Sequence, residues 1–275
     1  MEKRKILYIS QEMHPYTADT TEIGKIARNL PQGIMEQGFE IRSFMPRFGC
    51  INERRHQLHE VIRLSGMNII VNDNDQPLII KVASIPSARM QVYFIDNEEY
   101  FKRKTTLNDD GGAFHKDNDE RSIFYVRGVF ETVKKLGWAP DIIHCHGWMS
   151  ALAAVYLKTA YRNDPIFANS KVVMSVYQSD EFEGALDGKF SSKVLFNDMK
   201  KEHYHVAKPT YANVINECLK YVDAVVKGSE PIHKDIEKHI KSNDLRFVQY
   251  NPEEDFVGPH LTLYEELLEE SVVAN

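Results

Sequence analysis

The stretch that decides the fold class is Lys5-Ile-Leu-Tyr-Ile-Ser10, continued by Gln11-Glu-Met-His-Pro15 and Tyr16-Thr-Ala-Asp-Thr-Thr-Glu-Ile-Gly24. A short apolar run passes through a polar loop into residues 23–37, where apolar side chains recur at helical spacing. This strand–loop–helix order is typical of the start of a nucleotide-binding α/β domain. Residues 39–45 then form another apolar run, and the spacing predicts a right-handed βαβ unit and a parallel sheet.

The loop after the first predicted strand lacks the chemistry of a phosphate-binding loop. Such loops offer glycines, backbone N–H groups and a Lys to the phosphate. This loop instead contains Asp19 and Glu22, and its first glycine is Gly24. The pattern of the elements therefore predicts a nucleotide-binding fold, whereas the residues of the loop do not predict a phosphate-binding site.

Strands and helices alternate through the rest of the chain. Apolar runs predict strands at 61–71, 78–85, 91–95, 142–145, 172–177 and 224–226, and helices at 121–136, 149–161, 210–221 and 232–240. The polar turn Asn72-Asp-Asn-Asp75 predicts a β-hairpin, while the polar stretch 97–120 predicts a surface loop and 178–207 is irregular. We predict one α/β, Rossmann-like domain over 1–246, with a parallel sheet and a β-hairpin insertion.

Charge is distributed unevenly along the chain. No Lys or Arg follows Arg246, and 247–275 holds seven acids, which leaves 33 acids against 34 Lys and Arg in the remainder. Without a general basic surface, nucleic acid is excluded as a partner. We predict that 247–275 is an acidic C-terminal tail, solvated or loosely docked, or alternatively a peptide that binds a protein partner.

Hydropathy and cysteine usage indicate a cytoplasmic protein. No apolar run approaches the roughly 18 residues of a membrane span, and the run after Met1-Glu-Lys-Arg-Lys5 is too short for a signal peptide. The three cysteines, Cys50, Cys145 and Cys218, are far apart and odd in number. This pattern predicts reduced thiols and no zinc site.

The stretch Ile142-Ile-His-Cys-His-Gly-Trp148 places two histidines at the carboxyl end of a predicted strand. Open α/β sheets bind ligands just beyond such ends, and residues two apart share a face. His144 and His146 could hold loop carbonyls, line a ligand cleft, or bind a metal, although no third ligand stands at a telling spacing. Trp148 could pack at the helix start or serve as a stacking platform for a sugar.

Two polar stretches are further candidates. Asp117-Asn-Asp-Glu-Arg121 precedes an apolar helix and predicts helix capping with first-turn acids, or an Arg121 that orients cleft residues. Tyr177-Gln-Ser-Asp-Glu-Phe-Glu183 follows a strand and is acidic. Its carboxylates could act as general acid or base, or form a solvated loop.

These pieces, in this order, resemble the N-terminal domain of bacterial glycogen/starch synthases, which are retaining glucosyltransferases of the two-domain GT-B type. The resemblance covers about residues 1–242, and its main stretches are Lys5-Ile-Leu-Tyr-Ile-Ser10, Gly38-Phe-Glu-Ile-Arg42, Met45-Pro-Arg-Phe48, Val92-Tyr-Phe-Ile-Asp-Asn97, Pro140-Asp-Ile-Ile-His-Cys-His146 and Tyr221-Val-Asp-Ala-Val225. It implies the N-terminal half of an α-1,4-glucan synthase that uses a nucleotide-sugar.

The departures from this family fall in its donor site. The family loop reads roughly PFAKTGGLADV, and its Lys and glycines meet the ADP of the donor; the chain has Asp19, Thr20, Thr21 and Glu22 there. A change from Lys to Asp turns attraction for a diphosphate into repulsion. The family's HDWHT becomes 146–150 with Met149 in place of the His expected at the donor sugar, and TIHN becomes Ser175-Val-Tyr-Gln178.

The resemblance also implies a C-terminal Rossmann domain that holds most of the donor and carries an Arg/Lys pair, and we expect it to be missing because the chain ends at Asn275. We therefore predict a single-domain pseudoenzyme of this family, non-catalytic alone, with no cofactor and no metal. It would bind an α-glucan or sugar around Asp117, Asn118, Arg121, His144, His146, Trp148, Met149, Tyr177 and Gln178. Two alternatives are a glucosyltransferase completed by a separate chain and an interaction protein with a vestigial cleft.

Overall fold

The computed structural model describes residues 3–17, 21–249 and 255–273. Two residues of the predicted degenerate loop, Asp19 and Thr20, lie outside the described residues. The strands are β1 Lys5–Ser10, β2 Glu40–Pro46, β3 His59–Glu60, β4 Met67–Val71, β5 Asn74–Ile85, β6 Met90–Asp96, β7 Ile142–His146, β8 Lys171–Val176, β9 Ala224–Lys227 and β10 Phe247–Gln249. The helices are α1 Glu22–Glu36, α2 Glu53–His56, α3 Glu98–Phe101, α4 Asn118–Leu136, α5 Leu152–Lys158, α6 Phe190–Val194, α7 Tyr211–Leu219, α8 Lys234–Ser242 and α9 Val257–Val273.

The sheet has the order β10-β9-β8-β7-β1-β2-β6-β5-β3, with β4 paired to β5 outside this path. The strands from β10 to β6 are parallel, and β5 runs antiparallel to β6. The chain passes from β1 to β2 on one side and later places β7 on the other side of β1. The predicted α/β class is therefore confirmed, and a topological switch point lies between β1 and β7.

The predicted hairpin is formed by β4 and β5. Its two-residue turn, Asn72 and Asp73, has φ values of 50° and 61°, the left-handed geometry that suits the twist of a tight hairpin and that Asn and Asp tolerate. The strand begins at Met67 rather than at the predicted Val61, because 61–65 forms a turn in which the Leu64 N–H donates to the Val61 carbonyl at 2.9 Å.

The prediction of a surface loop over 97–120 is wrong at the start of that stretch, which forms α3, and at its end, where α4 begins at Asn118. Asn97, Tyr100 and Phe101 are buried. The Asn97 side chain caps α3 by accepting hydrogen bonds from the backbone N–H groups of Glu99 and Tyr100 at 2.9 and 3.0 Å. The cap directs the two aromatic rings into the core, so a stretch that is polar on average supplies part of it.

The C-terminal segment is packed against the domain, and the expectation of a solvated or loosely docked tail is wrong for its described part. Strand β10 pairs with β9, and the α9 side chains Leu263, Tyr264 and Leu267 are at most 1% exposed. They join the apolar face of α1 over β1 and β7. The acids occupy the opposite, exposed face of α9. The segment is therefore an amphipathic helix, which its acidic composition alone did not predict.

Within the described ranges, no helix is both long enough and apolar enough to cross a membrane.

Candidate functional site

A cleft of about 1130 Å³ opens at the carboxyl edge of the sheet. This is the edge at which open α/β sheets bind ligands, and β1 at the switch point contributes to it. The lining comes from the segments that follow β1, β2 and β8 and from the loop before α4: Gln11, Glu12, Thr17, Thr21, Cys50, residues 104–108, residues 112–114 and residues 179–184.

The cleft is acidic. Its described lining holds the carboxyl groups of Glu12, Asp180, Glu181 and Glu183 against the single ammonium group of Lys104. Such a surface repels anions and offers hydrogen-bond acceptors to ligands rich in hydroxyl groups.

At the start of α1, side chains of the protein occupy the positions that a phosphate-binding loop would leave open for a ligand. The Thr21 hydroxyl accepts a hydrogen bond from the Gly24 N–H at 2.9 Å and so caps the helix. The first-turn acid Glu22 accepts a hydrogen bond from the Ser179 hydroxyl at 3.0 Å. The protein thus supplies the negative charge that a helix N-terminus favours.

At the end of β7, the space beside Gly147 is filled by Gln11. A Cβ atom on Gly147 would lie 2.4 Å from Gln11 Cδ, and Gly147 has a φ of 87°. Gln11 Oε1 in turn accepts a hydrogen bond from the Met149 N–H at 3.3 Å. Met149 itself is fully buried. Through its N–H, Met149 therefore holds the cleft residue Gln11 from within the core.

Trp148 is 1% exposed. Its ring packs between Phe114 and Phe182, with ring centroids 5.8 and 5.0 Å away. No face of the indole is open to a sugar, so the structure agrees with the packing interpretation of this residue.

Asp180 is a cleft residue that sequence reasoning did not single out, although the acidic stretch containing it was noted. It ends a short 3-10 turn after β8, is 5% exposed, and its Oδ2 accepts a hydrogen bond from the Trp148 N–H at 2.6 Å. Burial raises the pKa of Asp180 well above its usual range. A buried carboxyl with a strongly raised pKa in a cleft is a recurring mark of functional sites.

His144 and His146 are fully buried and face the layer of α1 and α9 instead of lining the cleft. The His144 ring contacts the hydroxyls of Tyr264 at 2.6 Å and Ser175 at 2.7 Å, and the His146 Nδ1 contacts the Tyr177 hydroxyl at 2.8 Å. Burial lowers the pKa of His146 to about 3 and that of His144 well below its usual range. Both rings are thus neutral structural groups, held by hydroxyls rather than by the loop carbonyls expected.

The residues at the start of α4 hold the cleft wall. The Asn118 amide donates to the Leu107 carbonyl, and the Arg121 guanidinium donates to the Thr106 carbonyl, both at 2.8 Å. Arg121 is fully buried, and burial lowers its pKa to about 9. These bonds support the interpretation that Arg121 orients cleft residues.

The Asp117 side chain does not cap α4, contrary to the capping interpretation. Its carboxylate accepts a hydrogen bond from the Arg103 guanidinium, with 2.9 Å between Nη1 and Oδ1. Arg103 directly precedes the wall segment, and the pair fixes the start of that segment.

Tyr177 is buried and Gln178 is exposed, and both directly precede the cleft-lining segment 179–184. The Tyr177 ring occupies space that Gly228 leaves, since a Cβ on Gly228 would lie 2.1 Å from it. The Gln178 N–H donates to the Ser229 hydroxyl at 2.7 Å. Of the described residues predicted for the site, Thr21 lines the cleft, and Asn118 and Arg121 hold its wall.

Known proteins place this architecture in a family. The family model described as the starch synthase catalytic domain matches residues 5–247 of this chain. The chain belongs to the starch synthase catalytic domain family. The resemblance predicted from sequence is therefore confirmed.

Relatives in this family include glycogen synthases of Chlorobium and Chlorobaculum species. That of Chlorobium luteolum is 35% identical over 236 residues, covering 84% of this chain and 48% of the relative. That of Chlorobaculum tepidum is 42% identical over 174 residues, covering 63% of this chain and 36% of the relative. The chain thus spans about half or less of the length of these relatives.

The fold agrees with a solved member of the family. The catalytic domain of starch synthase IV from Arabidopsis thaliana, described as bound to ADP and acarbose, has a TM-score of 0.70 and 14% identity. The match covers 90% of this chain and 51% of that chain. The GT-B-type fold predicted for this chain is confirmed by that match.

Proposed function

We propose that this domain of the starch synthase family binds an uncharged α-glucan or sugar in its cleft, and that it does not by itself use a nucleotide-sugar donor. The observation that carries the proposal is the acidic cleft at the switch point, beside a helix start that already bears Glu22. The family resemblance suggests glucans and nucleotide-sugars as the ligands to consider. The acidic cleft favours the uncharged glucan over the charged nucleotide-sugar.

The cleft charges weigh against a diphosphate. Two like charges about 4 Å apart repel by about 4 kcal/mol at an effective dielectric near 20. Glu181 and Glu183 are exposed, which weakens the effect through screening. Even about 1 kcal/mol from each of three carboxylates would lower the affinity for a diphosphate roughly 100-fold.

An uncharged polyol avoids this cost. Its hydroxyl groups can donate hydrogen bonds to the carboxylates, and hydrogen bonds to an ionised acceptor are about twice as strong as neutral ones. The Lys104 side chain and the backbone groups of 104–108 provide a facing wall of the same cleft. The lining therefore favours a glucan over a nucleotide-sugar.

The test is isothermal titration calorimetry of the chain with maltoheptaose, ADP-glucose and UDP-glucose in parallel. We expect saturable heats with maltoheptaose and none with either nucleotide-sugar. Binding of ADP-glucose would contradict the proposal and favour a glucosyltransferase that a further domain or chain completes. Silence toward all three ligands would contradict it too and favour an interaction protein.

Two matched triple variants distinguish the effect of the carboxylates inside the cleft from the effect of the total charge of the protein. Glu12→Gln with Glu181→Gln and Glu183→Gln removes three cleft carboxylates. Glu265→Gln with Glu266→Gln and Glu269→Gln removes three from the exposed face of α9. We expect affinity for ADP to rise at least tenfold in the first set alone; an equal rise in both would contradict the argument from local charge.

A further inference from the structure

Two aromatic rings stand in the described lining of the cleft, those of Phe114 and Phe182. They are stacked on each other, with centroids 5.0 Å apart and an angle of 19° between their planes. The Trp148 ring packs against both, with centroid distances of 5.8 and 5.0 Å. The Tyr211 ring meets the edge or face of Phe182 at 5.8 Å. The four rings therefore form one packed cluster at this part of the cleft.

Phe114 is the most exposed member of this cluster. Trp148, Tyr211 and Phe182 are 1%, 2% and 8% exposed, whereas Phe114 is only partly buried. Because Phe114 also lines the cleft, it offers apolar surface to a ligand there. Phe114, rather than the enclosed Trp148, is therefore the ring that a ligand in the cleft can touch.

The backbone that carries Phe114 is held in a short hairpin. Phe114 pairs with Asn108 in an antiparallel bridge. The next residues along the two strands, Asp109 and Ala113, are joined twice: the Asp109 N–H donates to the Ala113 carbonyl at 2.8 Å, and the Asp109 carboxylate accepts a hydrogen bond from the Ala113 N–H at 2.9 Å. The base of this hairpin is bonded to α4 as described above. A ring fixed in this way loses little conformational freedom when a ligand packs on it.

The cleft thus combines the two kinds of surface that match a glucose unit. A pyranose ring has an apolar face of C–H groups, and such groups pack favourably on the negative face of an aromatic ring. Its hydroxyl groups can donate hydrogen bonds to the carboxylates of Glu12, Glu181 and Glu183 in the same lining. A nucleotide base could also stack on a Phe ring, but its diphosphate would meet these carboxylates.

We infer that Phe114 is the platform on which the apolar face of one glucose unit of the glucan packs, while the neighbouring carboxylates orient that unit through its hydroxyl groups. The inference rests on the proposed glucan-binding function and adds the residue that holds the sugar ring. It requires a flat aromatic ring at position 114, and not merely an apolar side chain that fills space in the wall.

The experiment compares maltoheptaose binding to the original chain and to variants at position 114 by isothermal titration calorimetry. Phe114→Tyr keeps the flat ring, and we expect affinity within threefold of the original. Phe114→Leu keeps an apolar side chain without the ring, and we expect affinity at least fivefold weaker. Phe114→Ala should bind at least tenfold more weakly, which corresponds to about 1.4 kcal/mol. The matched control is Phe247→Ala, at a Phe that is 47% exposed and outside the described cleft lining; it should bind unchanged.

A second measurement, on the original chain, remains decisive if a variant folds poorly. Nuclear Overhauser effects should connect the Phe114 ring protons, assigned by comparison with Phe114→Tyr, to C–H protons of bound maltoheptaose. Their absence from the saturated complex, an Ala or Leu variant that binds as tightly as the original, or a Tyr variant as weak as the Ala variant would overturn the inference and leave the proposed function in place. Failure of the original chain to bind maltoheptaose would instead refute the proposed function, and the inference with it.

Discussion

Replacing His146 by Gln tests the claim that the buried rings beneath α9 are neutral. His146 is fully buried and touches the Tyr177 hydroxyl at 2.8 Å, and its pKa is lowered to about 3. In an unfolded chain a His titrates near pKa 6.5. The stability from the neutral ring is therefore complete above pH 6.5 and is lost as the pH falls toward 3.

The size of the effect follows from these two pKa values. At pH 5 the unfolded state binds almost one more proton at this ring than the folded state does, so the free energy of unfolding is about 2 kcal/mol lower than at pH 8. His260, in the same layer and with a pKa of about 4, adds a similar amount. The raised pKa of Asp180 acts in the opposite direction.

The measurement is urea unfolding followed by far-UV circular dichroism at pH 8, 7, 6 and 5, for the original chain and His146→Gln. We expect the variant to be less stable at pH 8 and this deficit to shrink by about 2 kcal/mol at pH 5, because Gln takes up no proton. The control is His59→Gln, at an exposed position on an edge strand. An identical pH dependence for His146→Gln and the original chain would refute the assignment of a buried neutral ring.

Three further substitutions test the packing, each by urea unfolding. Gly147→Ala should cost about 2–4 kcal/mol, because φ is 87° and the new Cβ would lie 2.4 Å from Gln11; a neutral result would contradict this. Leu267→Ala should cost about 2–5 kcal/mol because Leu267 is buried where α9 docks, against about 0.5 for exposed Glu269→Ala. Lys193→Met should cost about 3–5 kcal/mol at pH 7 and less at pH 4, because it leaves the buried Asp119, 2.7 Å from the ammonium, unpaired.

Much of the fold could be predicted from the sequence because its signals are local. The apolar run 6–9 and the helical spacing of 23–37 each lie within a few turns of chain. The hairpin was predictable from Asn72 and Asp73, whose side chains tolerate the left-handed backbone that the turn requires.

The candidate site was less predictable because it depends on which face of a strand is covered and by what. His144 and His146 do stand at the carboxyl end of β7, as predicted, but they point into the layer formed by α1 and α9. The stretch 104–108 read as a surface loop, and only its bonds to Asn118 and Arg121 make it a cleft wall.

The sequence by itself determined the α/β class, the hairpin, the family, and the presence of acids and threonines at 19–22. These properties reside in residue identity and short-range spacing. Only the tertiary structure decided that α9 docks, that Trp148 is closed off, and that Asp180 is buried. Burial and protonation state are set by groups far apart in the chain, because desolvation depends on everything that packs around a side chain.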